Sequence, residues 1–110
     1  MIHFPLMPRL LYLDCFSGIS GDMTVGALCD LGVEPAEVKR ELRKLSLGKT
    51  RFVLERQTRQ GISGLKFSLH EQATGHGHTH YAHIRKMIGG SALSAFVRQR
   101  ALAIFARIAV

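Results

Sequence analysis

The chain has 110 residues, enough for one small domain and no more. With 46% apolar and 21% charged residues it is not a disordered tail, and no apolar run approaches the roughly 20 residues of a membrane-spanning helix. Fifteen Lys/Arg against eight Asp/Glu give a net charge of +7, and the imbalance sits in the second half, where Glu71 is the single acid of residues 61–110. That half suits an anionic partner. The basic residues are nevertheless scattered, Trp is absent and aromatics reach only 7%, so neither a nucleic acid nor a membrane is the expected partner. The N-terminus lacks the basic start of a signal peptide, and Pro5, Pro8 and Arg9 interrupt its apolar stretch, which makes the cytoplasm the expected location. Cys15 and Cys29 then read as free thiols, each a small buried residue.

In chain order, Leu10-Leu-Tyr-Leu-Asp-Cys15 is an apolar run without clean alternation, as expected of a strand buried on both faces. A Gly/Ser loop, Phe16-Ser-Gly-Ile-Ser-Gly21, leads into a helix predicted from Asp22 to about Leu31 and stopped by Gly32. Pro35 suits the first turn of a second helix, whose Val38, Leu42 and Leu45 form one apolar stripe. Arg51–Thr58 and Gly64–Glu71 are predicted strands joined by a turn at Arg59-Gln-Gly61. Leu65, Phe67 and Leu69 alternate with Lys66, Ser68 and His70. After a Gly/Thr/His-rich loop come a short helix from about His80 to Ile88 and a last helix from Ser91 onward, separated by Gly89-Gly90. The expected fold is a small layered α/β domain, order β-α-α-β-β-α-α, with a mixed sheet. Its last helix ends without a cap, which predicts a C-terminal truncation.

Two segments could carry chemistry. The first is His76-Gly-His-Thr-His80-Tyr-Ala-His83 within a loop region spanning 72–83. Imidazole is a borderline ligand suited to nickel, zinc, copper or iron(II). In an extended segment His76, His78 and His80 project to one side, and Gly75 and Gly77 give the backbone freedom to wrap an ion. His80 and His83, at helical spacing, share a face of the short helix that Thr79 would cap. No nearby cysteine or carboxylate completes a structural zinc pattern, so the run suits loading and handing over an ion. A merely solvated histidine loop is the plain alternative.

The second segment is Asp14-Cys-Phe-Ser17-Gly18-Ile-Ser20-Gly21-Asp22. A strand, a Gly/Ser loop and a helix start together form an anion cradle, and Ser17, Gly18, Ser20 and Gly21 are its candidate binding residues. It is neither a P-loop nor G-x-G-x-x-G. Asp14 and Asp22, framing it, could hold a divalent ion or act as acid and base. Equally, Ser20 or Asp22 could cap the helix and Asp14 anchor the loop. The turn around Arg59 carries a further Gly/Ser cluster, which could add to an anion site or simply close a hairpin.

Tyr12-Leu-Asp-Cys-Phe-Ser-Gly-Ile-Ser-Gly-Asp-Met23 followed by Gly26-Ala-Leu, the Gly61-Ile-Ser-Gly64 turn, the histidine run and Arg100-Ala-Leu-Ala-Ile-Phe105 occur in that order. Together they resemble the amino-terminal part of the LarC-type nickel-insertion proteins, over residues 9–110, with residues 1–8 left as an N-terminal extension. The resemblance implies a CTP-dependent lyase-class enzyme. Such an enzyme inserts nickel into pyridinium-3,5-bisthiocarboxylic acid mononucleotide and so matures the nickel pincer cofactor of lactate racemase. Nickel, CTP with a divalent cation, and the pyridinium mononucleotide are then the expected ligands, and a C-terminal domain or partner subunit the expected complement. Self-association into a homo-oligomer stays open. A rival reading is a non-catalytic nickel-binding accessory module acting with a separate C-terminal partner; another is a phosphate-ester enzyme built on Asp14 and Asp22.

Overall fold

The computed structural model describes residues 10–71 and 79–109. The expected extension over 1–8, and His76 and His78, lie outside these residues. The small layered α/β class holds: the described residues form four helices and one two-stranded sheet, in the order α-α-β-β-α-α.

Helix α1, Gly21–Asp30, starts after Ser20 at the N-cap. It ends as its glycine predicts. Gly32 takes φ +112°, its N–H donates to the Cys29 carbonyl at 3.1 Å, and the Val33 N–H reaches the Leu28 carbonyl at 3.0 Å. This paired closure is a Schellman motif, which needs a left-handed residue at that position. Helix α2, Pro35–Leu42, has Pro35 in its first turn, where a missing N–H costs nothing. On its wet side Lys44 Nζ meets the Glu41 carboxylate at 2.8 Å, and Arg40 meets Glu37 at 3.7 Å. The first of these pairs holds the Glu41 carboxyl below its ordinary pKa.

Strands β1, Arg51–Arg59, and β2, Ile62–His70, form an antiparallel hairpin whose register runs from Arg51 opposite His70 to Arg59 opposite Ile62. Gln60 and Gly61 connect them with φ of +49° and +78°. Positive φ at both central residues is the type I′ turn, whose twist matches that of the strands. The turn is therefore tighter than the sequence suggests, and Arg59 belongs to the sheet. A two-residue connection can join only antiparallel neighbours, so the sheet is antiparallel rather than mixed.

Register puts Phe52, Leu54, Arg56, Leu65 and Phe67 on one face of the hairpin. Phe67 is 6% exposed, and its ring stacks on Phe52 at 6.2 Å between centroids. Helix α1 packs along β2, burying Cys29 and Gly26; a Cβ on Gly26 would lie 2.5 Å from the Leu65 carbonyl oxygen. Arg56 clasps the end of α1 with a 2.8 Å bond to Asp30.

Helices α3, Tyr81–Gly89, and α4, Ala95–Ile108, form a second layer. Ile88, 3% exposed, and Leu93 are buried between them. Ser91 Oγ donates to the Ile88 carbonyl at 2.7 Å, and Arg98 donates to the Ser91 carbonyl at 3.1 Å. Helix α4 begins at Ala95, later than the expected start at Ser91, because the Ser94 hydroxyl accepts the Val97 N–H at 3.3 Å and fixes the cap there.

The strand expected over 10–15 does not form. Residues 10–15 are irregular and outside the core, with Leu10 and Tyr12 at 91 and 79% exposure. A buried strand needs a ladder partner, and among the described residues β1 and β2 pair only with each other. Cys15 is accordingly exposed, not buried as expected, whereas Cys29 is in the core. Phe96, Ile104 and Ile108 of α4 are also exposed. The radius of gyration is 17.1 Å, against about 13 Å for a compact domain of this length.

Candidate functional site

The Gly/Ser loop folds locally. The Gly18 N–H donates to the Cys15 carbonyl at 2.9 Å, closing a turn that puts Gly18 at φ +83° and leaves Ser17 exposed. Ser20 occupies the N-cap position, but its hydroxyl donates to the Asp22 carboxylate instead of accepting a helix N–H. Its carbonyl takes the Thr24 hydroxyl at 2.8 Å and the Thr24 N–H at 3.0 Å. The Ser20 hydroxyl, and after it the Met23 N–H, hold the Asp22 carboxyl below its ordinary pKa, with Lys66 adding a Coulombic pull in the same direction. Asp22 is thus an ionised carboxylate through the neutral range, exposed at the start of α1.

Asp22 and Met23 form one wall of an open cavity of about 550 Å³. The other wall is the hairpin: Arg59 at the end of β1, and Gly64 and Lys66 on β2. The structure therefore joins two segments that are far apart in sequence, the start of α1 and the cluster around the hairpin turn. Of the two framing aspartates only Asp22 lines this cavity; Asp14 stays exposed in the irregular segment, as do Ser17 and Gly18. Gly21 is the first residue of α1 and is open to solvent.

His80 and His83 lie at the other end of the hairpin. His80 is the N-cap of α3, the position expected of Thr79; its carbonyl accepts the His83 N–H at 2.9 Å and the Ile84 N–H at 3.2 Å. His83, in the first turn, is exposed and lines a cavity of about 420 Å³ together with Lys49, Glu71 and Thr79. Glu71 and Thr79 flank the stretch that holds His76 and His78. Sequence spacing does not mark Glu71 as a partner, yet it lines the same cavity as His83. Its position as the sole acid after residue 60 is the available signal. Among the described residues no three His, Cys, Asp or Glu side chains gather into a complete metal site.

A family model described as "Nickel insertion protein" matches residues 11–110. A Geobacillus kaustophilus protein named pyridinium-3,5-bisthiocarboxylic acid mononucleotide nickel insertion protein is 46% identical over 111 residues, covering 93% of this chain and 27% of the relative. Proteins of the same name from Desulfitobacterium hafniense and Staphylococcus epidermidis are 42% and 38% identical, over 88% and 90% of the chain and 24% and 25% of their own lengths. The chain thus spans about a quarter of the length of the curated relatives it matches. No solved structure matches it. Among the described residues no helix is long and apolar enough to cross a membrane. With a match that runs through the Gly/Ser loop, the hairpin and both C-terminal helices, the chain belongs to the nickel insertion protein family.

Proposed function

We propose that this chain handles nickel as cargo in the insertion of the ion into pyridinium-3,5-bisthiocarboxylic acid mononucleotide, a CTP-dependent reaction in the cytoplasm that matures the nickel pincer cofactor of lactate racemase. The observation that carries the proposal is the family match over residues 11–110, with relatives named for that substrate. The histidine run is the collecting point. His80 and His83 stand at the start of α3, and His83 shares a cavity with Glu71, so an imidazole and a carboxylate are available where the segment bearing His76 and His78 begins and ends. Mixed nitrogen and oxygen donors of this kind bind nickel and release it to sulfur ligands, which suits transfer better than storage.

Asp22, held ionised by Ser20, is the carboxylate proposed for acid–base work or for orienting the substrate, with Asp14 and the loop residues Ser17, Gly18, Ser20 and Gly21 framing it. CTP and its divalent cation enter by family resemblance; Asp14 does not line the cavity that Asp22 lines. Complete turnover is proposed to require a C-terminal domain or partner subunit that these residues do not supply.

Calorimetric titration with Ni²⁺ tests the cargo role. The quadruple change His76→Ala, His78→Ala, His80→Ala and His83→Ala is expected to weaken nickel binding at least tenfold, and Glu71→Gln to weaken it by a smaller factor. Unchanged affinity in the quadruple variant overturns the reading.

A further inference from the structure

We propose that the cavity between the start of α1 and the β1–β2 hairpin binds the pyridinium mononucleotide. Arg59 and Lys66 would receive its phosphate, and the hollow over Gly64 would receive its ring. This inference rests on the nickel-insertion reading and names where its organic substrate sits.

Three observations support it. The first is charge. Arg59 and Lys66 line the cavity against a single acid, Asp22, and among the described residues neither cation is engaged in an ion pair. Arg56, on the opposite face of the same hairpin, is by contrast committed to Asp30 at 2.8 Å. Two uncommitted cations beside one carboxylate leave a lining that favours an anion, and a phosphomonoester is the dianion to which an Arg fork and a Lys point charge both bind well.

The second is shape. Register places Arg59, Ile62, Gly64 and Lys66 on one face, with Gly64 between the two larger side chains of β2. Nothing lies within 4 Å of where a Gly64 Cβ would stand, so the glycine opens a shallow floor instead of serving close packing inside the chain. A glycine inside a strand marks a place where another group approaches the backbone. Ile62 and Met23 border this floor with apolar surface for a flat ring. The third is size, since about 550 Å³ falls within the range that holds small-molecule ligands.

The test is equilibrium binding to the full chain, using nicotinic acid mononucleotide as the probe: a pyridinium ring bearing a carboxylate and a ribose phosphate. Its dephosphorylated nucleoside and inorganic phosphate serve as comparison arms. The expected result is binding of the mononucleotide at least tenfold tighter than either arm. The double change Arg59→Gln and Lys66→Gln should remove that advantage, and Gly64→Val should block the ring while leaving the charges in place. Arg56→Gln is expected to bind as the unaltered chain does. Circular dichroism and Ni²⁺ titration on each variant separate loss of the site from loss of the fold. Equal affinity for the mononucleotide and inorganic phosphate, or an unchanged affinity in both the double variant and Gly64→Val, overturns the proposal. Nickel binding without mononucleotide binding overturns this inference alone; mononucleotide binding without nickel binding overturns the cargo reading alone.

Discussion

Substituting Gly26 by Ala offers a sharp test of how α1 is seated. In an exposed helix the change gains about 1 kcal/mol, since Gly is the poorer helix former. At Gly26 the added methyl would stand 2.5 Å from the Leu65 carbonyl oxygen and 3.5 Å from the Phe67 nitrogen, both backbone atoms of β2. Ordinary van der Waals separation is about 3.5 Å, so helix and strand must part by about 1 Å along the contact that also buries Cys29. Overpacking of this kind costs about 1–3 kcal/mol, and because the obstacle is backbone no rotamer can relieve it. Set against the propensity gain, the net expectation runs from no change to a loss of about 2 kcal/mol. Urea denaturation followed by far-UV circular dichroism measures it. Gly89→Ala in α3 is the internal control: nothing lies within 4 Å of its Cβ position, so the same chemical change should be neutral or stabilise by up to about 1 kcal/mol. Stabilisation of Gly26→Ala by the full propensity gain of about 1 kcal/mol would refute the seating of α1 on β2.

Other outcomes follow from the same structure. Phe67→Ala removes a ring that is 6% exposed and stacked on Phe52, and should cost about 3–5 kcal/mol in thermal or urea melts; a loss below about 1 kcal/mol would mean that the hairpin face is not the core. Asp30→Asn breaks the 2.8 Å pair with Arg56, but both side chains are well exposed, so stability should fall by no more than about 1 kcal/mol and the effect should fade in high salt. Ser20→Ala removes the hydroxyl that lowers the Asp22 pKa, so the carboxyl-carbon titration of Asp22 followed by NMR should move upward. A lowered folded pKa contributes stability above the ordinary carboxylate pKa and gives it up as pH falls through the folded value. Any stability difference between Ser20→Ala and the parent should therefore vanish in strong acid, and an unmoved Asp22 midpoint would contradict the Ser20–Asp22 bond.

Much of this arrangement is legible in the sequence because it is encoded locally. Alternation of Leu65, Phe67 and Leu69 with Lys66, Ser68 and His70 specifies β2, and Gly32 and Pro35 mark where α1 ends and α2 begins. What escapes sequence reading depends on partners far along the chain. Leu10–Cys15 has the composition of a buried strand, but a strand exists only where another offers it a ladder, and composition does not reveal whether one does. The cavity joining Asp22 to Arg59 and Lys66 arises from the docking of α1 on β2, which no single segment announces beyond the small size of Gly26. Glu71 escapes for a related reason: metal-ligand spacing counts residues along the chain, whereas Glu71 and His83 are related by lining one cavity.

The Gln60–Gly61 turn also bears on the order in which the molecule assembles. The hairpin pairs one continuous stretch of chain, from Arg59 opposite Ile62 out to Arg51 opposite His70, and hairpins form on a timescale of about 1–10 μs, ahead of slower docking events. The basic wall carrying Arg59 and Lys66 can thus exist before the acidic one, and the cavity is completed only when α1 settles with Gly26 against Leu65. A visitor that contacts both walls, its anionic end on the basic one, would favour the docked arrangement, so occupancy and consolidation of this half of the molecule would be thermodynamically linked.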